Sequence, residues 1–161
     1  MGIELVRIDD RLIHGQVVTT WVKQKQIQQI LIINDAIVND EVQKSIFDIT
    51  APPDVIVKTF GVQSFIDITK KTAIKRRTLL LFTNPNDVLK LVKGGVKISH
   101  LNLGGMKFKT GRRQYTRAVS MSPEEFTALK ELDKFGIEIF VQMVPVDKVI
   151  KLDELLKGEV K

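Results

Sequence analysis

The chain has no cysteine, and only two of its 161 residues are histidine. Disulfide staples, thiolate nucleophiles and cysteine-ligated zinc or iron–sulfur centres are therefore excluded. His14 and His100 belong to no metal-ligand spacing, and carboxylates alone make a poor zinc site, so neither a metal nor a cofactor is expected. Aromatic residues make up 6% of the chain, and none forms a stacking motif interleaved with the basic runs, which argues against nucleic acid as a partner. The longest apolar runs, 30–33 and 79–82, are far too short to span a bilayer, and Arg7, Asp9, Asp10 and Arg11 interrupt any signal-peptide core. A cytoplasmic protein is expected. The G-x-x-x-x-G-K-[ST] loop, the G-x-G-x-x-G turn after the first strand and the G-x-S-x-G elbow are all missing.

Hydrophobic residues at 43% and charged residues at 27% are ordinary globular values, and the length suits one domain over 1–161. A net charge of +6 suggests an anionic partner. The basic residues cluster at Lys70, Lys71, Lys75, Arg76 and Arg77, and again at Lys107, Lys109, Arg112, Arg113 and Arg117. Either cluster can equally be a solvated face.

Short apolar runs alternate with amphipathic stretches. Strands are expected at 3–8, 30–33, 55–60, 79–82, 98–103, 117–121 and 137–144. Helices are expected at 16–24, across Val42, Ile46 and Ile49, at 62–68, from Pro85 to the Gly94-Gly95 stop, from Pro123 to Gly136, and at 147–156. Asn84 before Pro85 reads as a helix cap, and Ser122-Pro123-Glu124-Glu125 reads as a capping box. Strand-then-helix repetition gives the α/β class: an open, mostly parallel seven-stranded sheet with helices on both faces and an antiparallel strand at one edge. Ligand chemistry in such sheets sits beyond the carboxyl ends of the strands. That rule points to the loops 9–15, 34–36, 83–86 and 104–111.

The first of these loops carries the chemistry. His14 lies at an expected helix N-terminus, where free backbone N–H groups favour an anion. Arg11, three residues earlier, has the planar fork that suits phosphate, and Gly15 allows close backbone approach. A neutral imidazole can act as a nucleophile toward phosphorus, and Asp9 or Asp10 can take its other N–H and fix the tautomer. Residue chemistry alone leaves a second reading open, a capping histidine beside a surface ion-pair loop. His100, inside a strand, reads as a packing residue.

The run V-R-I-D-D-R-L-I-H-G-Q-V at 6–17 resembles the active-site segment of IIB subunits of the mannose/fructose/sorbose family of the bacterial sugar phosphotransferase system. Trp21, Asn34-Asp35, Asn102-Leu103-Gly104-Gly105-Met106, the stretch from Ser122 to Leu132, Gly136-Ile137 and Gln142-Met143-Val144-Pro145 extend the likeness over nearly the whole chain. The resemblance implies a phosphocarrier that takes a phosphoryl group from phospho-IIA onto Nδ1 of His14 and delivers it to a sugar held by the membrane subunits IIC and IID. It implies that Arg11 binds the phosphoryl oxygens. It also implies that IIA is a separate chain, since this one opens on the IIB motif.

Strand-end position adds Gly15, Gln16, Asn34, Asp35, Thr83 and the Gly104-Gly105 turn as expected phosphoryl-binding groups. Lys107, Arg112 and Arg113 are expected to form a docking rim for acidic phospho-IIA. The wording leans toward N-acetylgalactosamine-type subunits, with mannose, fructose, sorbose and other amino sugars open. A basic nucleic-acid-binding module and a small-molecule enzyme are the alternatives.

Overall fold

The computed structural model describes residues 2–157. β1 (Ile3–Asp9) leads through α1 (Gly15–Lys25) to β2 (Gln29–Ile33). A 3-10 turn (Ile37–Asn39) precedes α2 (Glu41–Thr50), β3 (Ile56–Phe60), α3 (Val62–Lys71), β4 (Thr78–Phe82), α4 (Pro85–Lys93) and β5 (His100–Gly105). The two-residue strands β6 (Arg113–Gln114) and β7 (Ser120–Met121) follow, then α5 (Pro123–Lys134), β8 (Glu138–Val141), β9 (Ile150–Lys151) and α6 (Leu152–Leu156). Seven strands form the main sheet in the order β3-β2-β4-β1-β5-β8-β9, and every pair in it is parallel except β8 with β9 at the edge. This is the α/β architecture expected from the sequence.

Alternation along the strands divides the core between two faces. Leu5, Ile30, Ile32, Leu79 and Leu81 pack under α1 and α2 with Val18, Trp21 and Phe47. Val6, Ile8, Leu31, Ile33, Leu80 and Phe82 face α3, α4, α5 and α6. β4, at the centre, is buried along its whole length, as an apolar run covered on both sides should be. The helix starts follow local chemistry: Asn84 accepts the Asp87 N–H, and Ser122 and Glu125 form the complete capping box.

The crossover from β1 passes over β4 to β2 on the α1 face. The crossovers from β4 and β5 run in the opposite direction on the other face. Loops at the carboxyl end of β1 therefore part from those of both neighbours and leave a crevice, and His14 follows this strand.

Three expectations are corrected. The strand at 117–121 shrinks to β7, which pairs with β6 in a separate two-stranded sheet. The Thr116 hydroxyl turns the chain there by accepting the N–H groups of Ala118 and Val119. The helix at 147–156 is confined to α6: Gln142 Nε2 donates to the carbonyls of Pro145 and Asp147, folding a turn that brings β9 back onto β8. That turn also ends the strand at 137–144 early, at Val141. Val42, Ile46 and Ile49 form one stripe of α2, the helix expected there; the stripe faces outward, and only Phe47 of α2 is buried.

Candidate functional site

Beyond β1 the chain turns back at once. Leu12 N–H donates to the Asp9 carbonyl (2.9 Å), and Arg11 N–H donates to Asp9 Oδ1 (3.1 Å). The turn puts Leu12 at φ 59°, a left-handed conformation that costs a non-glycine residue about 1–2 kcal/mol. Burial of Leu12 and Ile13 with Val18 and Trp21 holds it there. Gly15, at φ 46°, adopts the same region without a Cβ penalty.

His14 is thereby set as the N-cap residue of α1, half-buried, with extended backbone and no side-chain bond to the helix. Its Nδ1 lies 3.3 Å from the Leu12 carbonyl, and its Nε2 is enclosed without a partner. A carbonyl only accepts, so the contact suits a ring with its proton on Nδ1. The first-turn N–H groups of α1 have no side-chain cap. Those of α2, α3, α4 and α5 are met by Asp40, Asp35, Asn84 and Ser122.

Beneath the loop lies a buried ion network. Arg7 is 1% exposed and Asp9 0%. Arg7 donates to Asp9 Oδ2 (3.1 Å), to the Asn102 side chain and to the Gln142 carbonyl (3.1 Å), and its guanidinium stacks over Trp21 at 5.5 Å. Burial lowers the Arg7 pKa below the ordinary guanidinium value, and the adjacent Asp9 carboxylate opposes the shift. The same carboxylate holds Arg11 through Nε (3.0 Å) and Nη2 (3.1 Å). Arg11 is partly exposed, and its Nη1 has no partner among the described residues.

Neither carboxylate takes the orienting role expected for Asp9 or Asp10. Asp9 is committed to the two arginines, Asp10 accepts from Lys107 N–H (3.0 Å) and Arg112 (3.2 Å), and the Leu12 carbonyl meets the imidazole instead. Gly104 and Gly105 are not an exposed turn but the buried end of β5. A Cβ on Gly104 would be built into the Arg7 guanidinium, and one on Gly105 would lie 3.0 Å from both Arg11 Nη2 and Asp9 Oδ1. Their missing side chains make room for the arginines.

Asn34 and Thr83 meet at the ends of β2 and β4, with Asn34 Nδ2 donating to Thr83 Oγ1 (3.0 Å). Asn34 Oδ1 accepts from Ala36 and Ile37, and Asp35 accepts the Val62 N–H (2.8 Å) at the start of α3. Burial raises the pKa of nearby Asp87; the Asn84 hydrogen bond opposes this, and the charge of Asp35 adds to it. Among the described residues no hydrogen bond joins this cluster to the 9–15 loop. Gln16 is exposed at the start of α1.

The basic cluster divides. Arg112 is buried: it grips Glu125 with two bonds (2.9 and 2.8 Å) and also reaches Asp10 and the Lys107 carbonyl (2.8 Å). Its expected place on an open docking rim is therefore corrected, because every terminal nitrogen of its fork is used inside the fold. Burial alone would raise the Glu125 pKa, but the bonds from Arg112 and from Ser122 N–H outweigh it and hold the carboxyl below its usual range. Lys107, Lys109 and Arg117 are exposed, Arg113 lies over Tyr115 at 5.4 Å, and Phe108 is exposed between two lysines. His100 packs as expected, half-buried against Phe140, with Nε2 accepting the Val6 N–H (3.4 Å).

Asp9 does pair Arg7 and Arg11, one of the readings the loop's charges allow, but Arg7, Asn102 and Gln142 were not among the expected site residues. The available signal was Arg7, a charge set between Val6 and Ile8 in the strand run 3–8. Among the described residues there is no group of three or more acids or histidines fit for a metal, and no helix is long and apolar enough to cross a membrane.

Known proteins share this sequence and shape. The family described as the PTS system sorbose subfamily IIB component matches residues 3–161. The sorbose-specific EIIB component of Klebsiella pneumoniae is 41% identical over 94% of this chain and 93% of its own length. The mannose-specific EIIAB component of Escherichia coli (strain K12) is 41% identical over 97% of this chain but only 49% of that longer protein. The crystal structure of the IIBSor domain of the sorbose permease from Klebsiella pneumoniae superposes with a TM-score of 0.91 at 38% identity, covering 98% of this chain and 97% of that one. With sequence and fold in agreement, the chain belongs to the sorbose subfamily of IIB components of the sugar phosphotransferase system.

Proposed function

We propose that His14 accepts a phosphoryl group from the phosphohistidine of a IIA protein and passes it to a sugar held by the membrane subunits IIC and IID. What carries this reading is the meeting, in one loop, of an imidazole, a guanidinium with a free nitrogen and an uncapped helix N-terminus. No other helix start described above leaves its first turn open in this way beside a histidine.

The transfer breaks the P–N bond to the donor as a P–N bond forms to His14, with the two nitrogens in line. The transition state is loose, so positioning and charge dominate. Nε2 is enclosed in this ring orientation, which favours Nδ1 as the accepting nitrogen, in keeping with the family resemblance. Attack by Nδ1 needs the neutral ring's proton on Nε2, so the contact with Leu12 is given up on phosphorylation. Arg11 Nη1 and the first N–H groups of α1 stabilise the equatorial oxygens. One carboxylate, Asp9, between two guanidiniums leaves the site with surplus positive charge. Gly15 and Gln16 border this anion site, while Asn34, Asp35 and Thr83 shape the neighbouring strand ends.

Lys107, Lys109 and Arg113, with Phe108 as an apolar anchor, form the rim on which acidic phospho-IIA docks from the cytoplasm, and Arg112 braces that loop from inside. The sugar is a hexose or its amino-sugar or ketose relative. The sequence leans toward N-acetylgalactosamine, whereas the relatives described above are named for sorbose and mannose. Uptake of a sugar panel after deletion chooses among them.

The central test is incubation with phosphorylated IIA. The expected product is an acid-labile, alkali-stable phosphate on the chain, lost in His14→Ala. Labelling that persists in His14→Ala refutes the assignment.

A further inference from the structure

We infer that the outward face of α2 is where the chain docks on the cytoplasmic side of its membrane partner, and that the partner presents basic and apolar groups there. The inference rests on the phosphocarrier reading for the identity of that partner. Val42, Ile46 and Ile49 stand four and three residues apart and are 72%, 48% and 82% exposed. They form one stripe on a helix that is properly made: Asp40 caps it, and Phe47 anchors the opposite side in the core. In α3 and α4 the residues at such spacing are buried. Three adjacent exposed aliphatics on a formed helix mark a surface that is covered in use.

The charge around the stripe identifies what covers it. Glu41 and Asp48 belong to the same helix as the stripe, Asp40 is its N-cap, and Asp35 and Asp54 flank it in sequence, in a chain whose net charge is +6. The one lysine of this segment, Lys44, is turned to the Val38 carbonyl (3.2 Å) and to Glu41 (3.4 Å). An acidic rim repels anionic lipid and an acidic protein alike. It suits the cytoplasmic segments of a membrane protein, which are enriched in lysine and arginine. A second copy of the chain fits poorly, because two such faces would bring their acidic rims together.

Position agrees. α2 lies on the same sheet face as α1, and its first turn follows closely on the carboxyl end of β2, the end of the sheet that carries His14. A partner seated on the stripe thus has its edge toward the imidazole. The basic rim around Phe108 stays available to a partner of opposite charge.

The test uses the full chain and membrane vesicles containing IIC and IID, with the variants Ile46→Ser/Ile49→Ser and Glu41→Lys/Asp48→Lys. All these positions are solvent-facing, and unchanged thermal unfolding checks the fold. Both variants should accept phosphate from phospho-IIA at the rate of the unsubstituted chain. The concentration giving half-maximal sugar phosphorylation should rise roughly ten-fold or more. The charge variant's defect should fade at high salt while the apolar variant's persists. Co-sedimentation of the unphosphorylated chain with the vesicles reads docking without chemistry. Hence a failure of His14 to take phosphate, with sedimentation still lost in the variants, would refute the phosphocarrier reading alone. Unchanged sedimentation and half-maximal concentration in both variants overturn the inference. So does a dimer in sedimentation velocity that the apolar variant abolishes, since the occupant is then a second copy.

Discussion

Replacing Gly104 by alanine tests the buried network under the His14 loop. The new Cβ would be built into the guanidinium carbon and both terminal nitrogens of Arg7. Arg7 is 1% exposed and flanked by the Trp21 ring, so it cannot swing into water. It must abandon Asp9, Asn102 and Gln142 instead. Overpacking alone costs about 1–3 kcal/mol. Separating a buried ion pair costs about 3–5 kcal/mol. The same displacement causes both, so about 3–5 kcal/mol covers the total. At about 2–4 °C per kcal/mol for a chain of this size, Tm should fall by roughly 6–20 °C. Thermal unfolding by circular dichroism, backed by a urea titration, measures this. The double variant sharpens it: in an Arg7→Met background the alanine should cost no more than about 1 kcal/mol, because the clashing group is gone. A Tm within about 2 °C of the unsubstituted protein, or full additivity of the two changes, would refute the claim that Gly104 exists to seat Arg7.

Gly105→Ala crowds Arg11 and Asp9 more gently, so phosphoryl acceptance by His14 should fall several-fold while Tm drops only a few degrees; equal loss of both argues against a positioning effect. Arg112→Gln should destabilise by about 2–4 kcal/mol in urea unfolding because it strands Glu125 and Asp10, whereas Arg113→Gln should leave stability within about 0.5 kcal/mol. Burial, aided by the charge of Lys25, lowers the His100 pKa from its ordinary 6.5, so the unfolded chain binds the extra proton. Stability from this group is therefore complete above that value and declines as pH falls through it toward the lower folded pKa. His100→Gln should flatten the stability profile in that window, and an unchanged slope would show that the ring contributes nothing there. Ser122→Ala should cost about 1 kcal/mol through the lost cap of α5, read as a shift of the urea midpoint.

Local grammar was legible wherever one residue's own chemistry decides the outcome. Asn84 and Ser122 start their helices as read, and the apolar runs 30–33 and 79–82 become central strands because nothing but burial suits them. Direction was less legible than type. The spacing of Val42, Ile46 and Ile49 is the same whether the stripe meets the core or a partner, and only the placement of Phe47 settles it. Arg112 and Arg113 are neighbours of one chemistry, and their opposite fates depend on Glu125 thirteen residues away and on Asp10 across the fold. His14 and Arg11 could be singled out because their loop carries its motif in consecutive residues. Arg7 was missed because its partners Asn102 and Gln142 come from distant strand ends. The stretch from Asp147 to Leu156 looked helical as a whole, but contacts of Gln142 that no local pattern announces take its first part into a turn.

Because Asp9 is closed to water and shared by Arg7 and Arg11, mobile ions cannot reach the group that sets the local charge balance. Ionic strength should therefore act on this protein in two separable ways. Encounters made through lysines and carboxylates at the surface weaken as salt rises, while the field at the imidazole stays nearly constant. The buried Arg7–Asp9 pair works as a fixed internal charge that solution ions do not replace, and changes in ionic composition should tune how often partners meet far more than what happens once they have met.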